Sequence, residues 1–332
     1  MPEISKFFDS LSSLSILVVG DVMLDSYLYG KVERISPEAP VPIVAVNRKD
    51  HRLGGAANVA LNLKQLSVNP ILCSVIGNDE YGEKICQLLE KENIESDYVI
   101  KSNNRISTVK TRVIGNNQQV LRVDEEITSK LKEEDENALF DMIIKVCSTQ
   151  KVDALIFEDY DKGCLTSNLI TKIIGFCKSM KIPSIVDPKK RNFLQYKEVD
   201  LFKPNLKELK EGLKIDIEKI DKLSIDRACT DLHKQLKCKS LLITLSENGV
   251  YWAANNNSGI IPAHVRNIAD VSGAGDTVVS VAAICIALTI PLHITAELCN
   301  LAGGLVCEKI GVVPITKDEL KKEVASNKLQ LS

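Results

Sequence analysis

The chain has 332 residues, a length that suits roughly two ordinary domains or one large one. Hydrophobic residues make up 45% and charged residues 26%, which supplies a large core without metal or disulfide staples and excludes extended disorder. The 42 Lys and Arg against 44 Asp and Glu leave a formal charge of -2, so a uniformly basic nucleic-acid-binding surface is excluded while a local basic pocket is not.

In chain order, Met1 to Ser15 lacks the basic and apolar regions of an export signal. Ser15-Ile-Leu-Val-Val-Gly20 then reads as a buried strand, and Ile71–Ile76, Ala154–Phe157, Ser184–Val186 and Leu241–Thr244 are runs of the same kind. Amphipathic helical patterns lie between them, at Glu80–Asn93, Lys132–Cys147, Leu169–Lys181 and Ile225–Leu236. That alternation predicts a mostly parallel sheet covered on both faces. Ser26–Asn47 and Thr108–Val123 break the rhythm. Rich in Val, Ile and Tyr and alternating in polarity, they predict a small β-layer attached to the body as a lid. No Pro-, Gly- or Ser-rich linker divides the chain, so one domain over 1–332 is expected. The ten cysteines show no CxxC pair and read as buried thiols of a reducing cytoplasm. The apolar run Thr277–His293 is too short for a membrane span and holds Pro291.

Several familiar sites are absent. There is no GxxxxGK[ST], no strand followed by GxGxxG, and no metal spacing among His51, His233, His264 and His293. The richest segment is Asp270-Val-Ser-Gly-Ala-Gly-Asp276-Thr277, followed by the apolar helix Val278–Leu288. Gly273 and Gly275 permit a tight turn, and the helix aims its free N–H groups, from about Ala274 to Asp276, at the space before it. A carboxylate beside a bound anion suits proton removal from an attacking hydroxyl. The same residues also suit an N-capped core helix. Gly54-Gly-Ala-Ala-Asn58 opens a second helix, Val59–Leu66, with Asn58 as donor and acceptor for a polyhydroxylated ligand or as a simple cap. Gly20-Asp-Val-Met-Leu-Asp25 puts Asp21 and Asp25 beyond the first strand, where open α/β sheets bind ligands; either one also suits a buried acid holding loop amides.

Together these segments resemble the two signatures of the ribokinase-like (PfkB) carbohydrate kinases. Within that family, Arg34-Ile-Ser-Pro-Glu-Ala-Pro-Val-Pro42, Asn117-Gln-Gln119 with Arg122 and Asp124, Asp159-Tyr-Asp-Lys-Gly163, Asp187-Pro-Lys189 and Pro204-Asn205 with Glu208 resemble the heptose 7-phosphate kinases. The resemblance spans about residue 14 to about 325. It implies an α/β three-layer sandwich with a central mostly parallel sheet and a β-lid, often paired in a homodimer. It also implies transfer of the ATP γ-phosphoryl to the anomeric hydroxyl of D-glycero-D-manno-heptose 7-phosphate, on the route to ADP-heptose and lipopolysaccharide. Another sugar or sugar-phosphate kinase of the family is the alternative, and a binding protein that lost turnover is a rival the acid at Asp276 argues against.

Residue by residue, the resemblance makes Asp276 the base and Gly273, Ala274 and Gly275 its anion hole. It matches Asp25, Gly55 and Asn58 to sugar-contacting positions, and Asp21, Gly54, Arg122, Asp159 and Lys162 complete the expected substrate side. Lys189, Asn205, Glu208, Thr244, Ser246, Gly249 and Asn300 fall to the nucleotide. Asn205 and Glu208 would place Mg²⁺ through water, and Asp270 and Ser272 match a monovalent cation site compatible with K⁺. Ser272 stands where Thr is usual, and Gly311-Val-Val-Pro314 departs from a common Gly-Thr step. Lys110, Arg112, Arg122, Lys162 and Lys189 are the cations available to a 7-phosphate. The expected partners are a small sugar phosphate and ATP, with no nucleic acid and no membrane, in the cytoplasm. Ending at Ser332, the chain is expected to carry no nucleotidyltransferase domain.

Overall fold

Strand β1 (Ser15–Gly20), preceded by helix α1 (Pro2–Ser10), is apolar on both faces and buried between two parallel neighbours, as its unbroken hydrophobic run requires. The computed structural model describes residues 2–264, 266–309 and 311–329; positions 1, 265, 310 and 330–332 of the expected domain lie outside the described residues. From β1 the chain passes directly into β2 (Val22–Ile35), returns as β3 (Pro42–Gly55) and enters α2 (Ala56–Gln65). Next come β4 (Asn69–Gly77), α3 (Glu80–Lys91), β5 (Val99–Ser102) and the hairpin of β6 (Thr108–Gly115) with β7 (Gln118–Glu125). The body continues through α4 (Glu133–Thr149), β8 (Ala154–Glu158), α5 (Ser167–Met180), β9 (Ser184–Asp187), β10 (Leu201–Phe202), α6 (Leu206–Leu213), α7 (Lys222–Leu236) and β11 (Ser240–Thr244). A hairpin of β12 (Val250–Ala254) and β13 (Asn257–Ile261) and the helices α8 (Ala274–Ala287), α9 (Leu292–Cys307) and α10 (Lys317–Ser326) complete it.

The main sheet has nine strands in the order β13-β12-β11-β10-β9-β8-β1-β4-β5, antiparallel only at β12 and β13. Alternate residues of each strand feed two cores. Ile16, Val18 and Ile156 pack with α2, α8 and α9, whereas Leu17, Val19 and Phe157 pack with α4, α5 and α7. This is the expected three-layer sandwich. Strand order reverses at β1, which β4 follows on one side and β8 on the other. A crevice at the carboxyl ends of β1 and β8 is therefore where such a sheet takes its ligand.

The lid is a separate four-stranded sheet, β3-β2-β6-β7. Its strands are longer than the sequence pattern marks, because β2 starts at Val22 and β3 runs to Gly55 inside the body. Val22–Ser26 and Leu53–Gly55 are buried, whereas the distal parts are half-buried or exposed and β7 is exposed throughout, without the one-sided burial that their alternating polarity predicts. Asp25 accordingly lies on a lid strand rather than on a loop after β1. Eight of the ten cysteines are buried and all are free. Among the described residues no helix is long and apolar enough to cross a membrane.

Candidate active site

Glycines 54 and 55 bring the lid onto the body. A Cβ on Gly54 would stand 2.5 Å from Asp25 Oδ2, and one on Gly55, whose φ is +58°, 2.3 Å from the Asp21 carbonyl oxygen. The pair thus admits the two acids of β1–β2, and Ala56 N–H donates to the Asp21 carbonyl at 2.9 Å. Asp25 is paired with Arg112 of β6. Both Asp21 carboxylate oxygens take loop amides, from Tyr160 (2.8 Å), Lys162 (3.0 Å) and Cys164 (2.9 Å). Burial raises the Asp21 pKa and those three N–H groups oppose it. Asp159 lies behind this loop, accepting from Tyr196 Oη (2.6 Å) and Asn192 Nδ2 (3.0 Å), and burial with neighbouring Asp21 pushes it up to about 6. Asp21 and Asp159 so fix the path of the loop after β8.

The two glycine-rich motifs meet at Asp276. Gly273 caps α8 in the left-handed region (φ +81°), and Asp276 follows in the first turn, 5% exposed. Its Oδ2 accepts from Asn58 Nδ2 at 2.5 Å and its Oδ1 from Tyr160 Oη at 2.9 Å. Asn62 Nδ2 donates to the Asn58 carbonyl (2.9 Å) and Thr277 Oγ1 donates to Asn62 Oδ1 (2.7 Å), which locks α2 against α8 by a buried polar chain. Burial, helped by Asp187 and opposed by Asn58, Tyr160 and Lys189, pushes the Asp276 carboxyl up to about 6. That places a carboxyl able to exchange a proton near neutrality in the first turn of the helix that Gly273 caps.

The carboxyl ends of β8, β9 and β10 carry Glu158, Asp187 and Lys203 on the face covered by α8, continuing the alternation of Ile156, Ile185 and Leu201. Lys203, 2% exposed, holds Asp187 Oδ2 at 2.8 Å, and Lys189 reaches Oδ1 at 3.4 Å. Burial alone would raise Asp187, but these two ammonium groups outweigh it and hold it below the usual carboxylate range. Glu158 is fully buried with no hydrogen-bond partner on either oxygen among the described residues, and burial, then Asp187 and Asp276, pushes it far up. Among the acids of this cluster, Glu158 is the one whose burial no hydrogen bond offsets. A Cβ on Gly275 would lie 3.6 Å from Asp187 Oδ2 and 3.9 Å from Lys203 Nζ, so the buried pair sits directly under the glycine loop.

Asn205 and Glu208 form a capping box on α6: Glu208 N–H donates to Asn205 Oδ1, and Asn205 N–H to Glu208 Oε2, both at 2.8 Å. Lys189 Nζ is 2.6 Å from Glu208 Oε1. Free lone pairs remain on Glu208, which fits a divalent cation reached through water. Asn205 pairs with Thr244 across a parallel bridge, and Ser246 (φ +53°) and Gly249 (φ +89°) shape the turn into β12. Asn300 is turned to the Pro262 carbonyl at 2.8 Å and fixes the segment after β13. Asp270 accepts from Ser272 N–H and Gly311 N–H, both at 2.9 Å, tying the glycine loop to the C-terminal loop. Arg122 is paired with Asp124 and Lys162 with Glu126, at 2.9 and 2.7 Å. Lys110 has no ion-pair partner among the described residues, and burial and nearby Lys162 lower its pKa.

Tyr160, Glu158, Asn62, Thr277 and Lys203 were not among the site residues expected from sequence. The available signals are the place of Tyr160 in Asp159–Gly163, that of Thr277 beside Asp276, and the i, i+4 spacing of Asn58 and Asn62 on a buried helix.

Residues 13–318 match the model of the pfkB family of carbohydrate kinases. The chain belongs to that family. The bifunctional protein HldE of Methylobacillus flagellatus is 39% identical over 311 residues, 94% of this chain and 63% of that protein. Its counterpart in Citrifermentans bemidjiense is 36% identical over 323 residues, 97% of this chain and 66% of that protein. The chain thus spans just under two thirds of these curated relatives. Phosphofructokinase-2 from Escherichia coli, in complex with substrates and products, superposes with a TM-score of 0.78 at 18% identity, over 94% of this chain and 99% of that one. Ribokinase of Arabidopsis thaliana, with ribose and ATP, gives 0.72 at 16%, over 94% and 98%. These pairings place the chain in the ribokinase-like fold, and pfkB membership makes it a carbohydrate kinase, a phosphotransferase acting on an alcohol group.

Proposed function

We propose that this kinase transfers the ATP γ-phosphoryl to the anomeric C1 hydroxyl of D-glycero-D-manno-heptose 7-phosphate, giving the β-1,7-bisphosphate used toward ADP-heptose and the lipopolysaccharide core. The observation that carries the chemistry is Asp276, a buried carboxylate with its pKa near 6, at a helix N-terminus between Asn58 and Tyr160. The heptose follows from the lid and loop motifs and from similarity to HldE proteins over nearly all of this chain.

Asp276 takes the hydroxyl proton as the sugar oxygen attacks in line, and the amides of Gly273–Gly275 stabilise charge on the transferring group. Lys189 and Lys203, released in part from Asp187, supply positive charge below the same loop. Mg²⁺ held by Glu208 and Asn205 through water would neutralise phosphate charge. A monovalent cation such as K⁺ at Asp270 and Ser272 would brace the glycine loop. Asp25, Gly54, Gly55 and Asn58 line the sugar side under the lid, with Thr244, Ser246, Gly249 and Asn300 on the nucleotide side.

The proposed unit is one kinase domain whose lid pairs with that of a second copy. Exposed Ile35, Val41, Val46, Val120, Leu121 and Val123 on or beside lid strands support the pairing, as do the unpaired edges of β3 and β7. Light scattering at micromolar concentration should give a dimer; a monomer would remove that part. The test of function is kcat/KM with ATP·Mg²⁺ over heptose 7-phosphate, free heptose, ribose, fructose and fructose 6-phosphate. Heptose 7-phosphate should be phosphorylated at C1 far faster than the others. Equal or better turnover of an unphosphorylated sugar would leave only a sugar kinase of the family.

A further inference from the structure

Tyr160 reaches the base from the loop after β8. Its backbone N–H is held by Asp21 Oδ2 at 2.8 Å, and its hydroxyl donates to Asp276 Oδ1 at 2.9 Å. Its ring lies between two ammonium groups, Lys110 of the lid at 5.3 Å and Lys189 at 5.1 Å. Burial, then the negative field of Asp276, Glu158 and Asp187, raises the Tyr160 pKa well above that of a free phenol. The hydroxyl is therefore a standing donor and never the base itself.

The two oxygens of Asp276 have unlike partners. Oδ2 faces Asn58, whose amide a ligand hydroxyl can replace, while Oδ1 faces a phenol anchored through its own backbone. We propose that Tyr160 is a positioning residue for phosphoryl transfer: it pins Oδ1 so that Oδ2 is the oxygen presented to the acceptor hydroxyl. The inference rests on Asp276 being the base. In the step, the acceptor O–H bond breaks and its proton forms the Oδ2–H bond. The released electron pair makes the new O–P bond, and the β–γ bridging P–O bond breaks to leave ADP. Tyr160 keeps its own proton throughout.

The groups that face Asp276 are Asn58 from α2, Glu158 at the end of β8, Asp187 and Lys189 at the end of β9, and Lys203 beneath the loop. None of these changes in Tyr160→Phe, which removes only a hydrogen bond that favours the charged form of Asp276. The acid limb of kcat against pH should move up by roughly half to one unit. The plateau should fall by roughly 3- to 30-fold through lost orientation, with nucleotide affinity by calorimetry and Tm near wild type. An unchanged acid limb and plateau would overturn the proposal.

Two further measurements guard it. In an Asp276→Asn background Tyr160→Phe should cost nothing more, since its partner oxygen is no longer a base; the same loss in both backgrounds would make Tyr160 a general packing residue. A fluorinated tyrosine at position 160, a stronger donor with the same shape, should move the acid limb down; no movement, or an upward one, counts against the role. Near-normal turnover in Asp276→Asn alone would remove the base assignment. An inactive Asp276→Asn beside an unaltered Tyr160→Phe profile would remove only Tyr160.

Discussion

Asn58 and Asp276, 218 residues apart, are joined by a 2.5 Å hydrogen bond that couples the first turn of α2 to the first turn of α8. Each follows a glycine in the left-handed region, Gly55 or Gly273, and each helix begins at the crevice where the sheet reverses. The two glycine-rich motifs are halves of one site. If Asp276 is the base, Asn58 holds the carboxylate oxygen that the acceptor hydroxyl would have to reach.

Asp276→Asn keeps the shape and both neighbours while removing the base. It should lower kcat by at least ~10²-fold with nucleotide binding retained. Wild-type turnover should fall as pH drops through about 6, where Asp276 gains its proton. Stability has a definite sign. The folded state holds a proton on Asp276 up to about 6 while the unfolded chain loses it near 3.8, so this group's contribution to stability declines as pH rises between the two values. The wild type should lose roughly 1–3 kcal/mol relative to Asp276→Asn over that range. Denaturant unfolding of both proteins at pH 4, 5, 6 and 7 measures it, and a constant difference would refute the assignment.

Lys203 and Asp187 make a second, buried relationship under the glycine loop. Lys203→Met removes the closer of two cations from a carboxylate that is 3% exposed. It should destabilise the fold by about 3–5 kcal/mol, because Asp187 is left with Lys189 alone. Adding Asp187→Asn should restore part of that loss, since no buried charge then lacks its partner. Chemical unfolding of the single and double variants gives the coupling; additive losses would mean that the pair does not act as a unit.

The parallel core was legible because each of its longer strands is built round an apolar run, as Ser15–Gly20 is in β1, and the helices between runs carry one apolar stripe. Helix α9 behaves differently. α9 had no sequence reading at all, because a helix buried on nearly every side, such as Leu292–Cys307, has no polar face to reveal its period. Two hairpins were marked by Asn pairs whose signal went unused. Asn116–Asn117 and Asn255–Asn256 all have positive φ, which suits the turn that joins tightly twisted strands. Within the site, motif residues such as Asp276 and Asn58 could be read locally. Glu158 and Lys203 could not, since their importance comes from strand neighbours that only the folded sheet brings together.

The last prediction concerns the remote phosphate. Arg122 and Lys162 are the two available cations on the expected substrate side, yet each already has a carboxylate, Asp124 and Glu126. Lys110 has none among the described residues, although it sits half-buried on β6 beside Lys162 and over the Tyr160 ring. Burial and the repulsion of Lys162 both lower its pKa, and a phosphate dianion placed between the two lysines would relieve that repulsion. The loop amides already serve Asp21, so side-chain cations must do most of this work. Binding energy from a group remote from C1 serves to position the reacting hydroxyl, so its loss should appear in kcat as well as KM. Lys110→Met should therefore lower kcat/KM for heptose 7-phosphate by roughly 10- to 100-fold while changing free heptose by less than about threefold. Lys162→Ala should act in the same direction but less, because Glu126 already offsets its charge. Parallel kinetics of the wild type and both variants on the two sugars decide it. Equal losses on both sugars in Lys110→Met would assign this lysine to the lid's structure rather than to the phosphate.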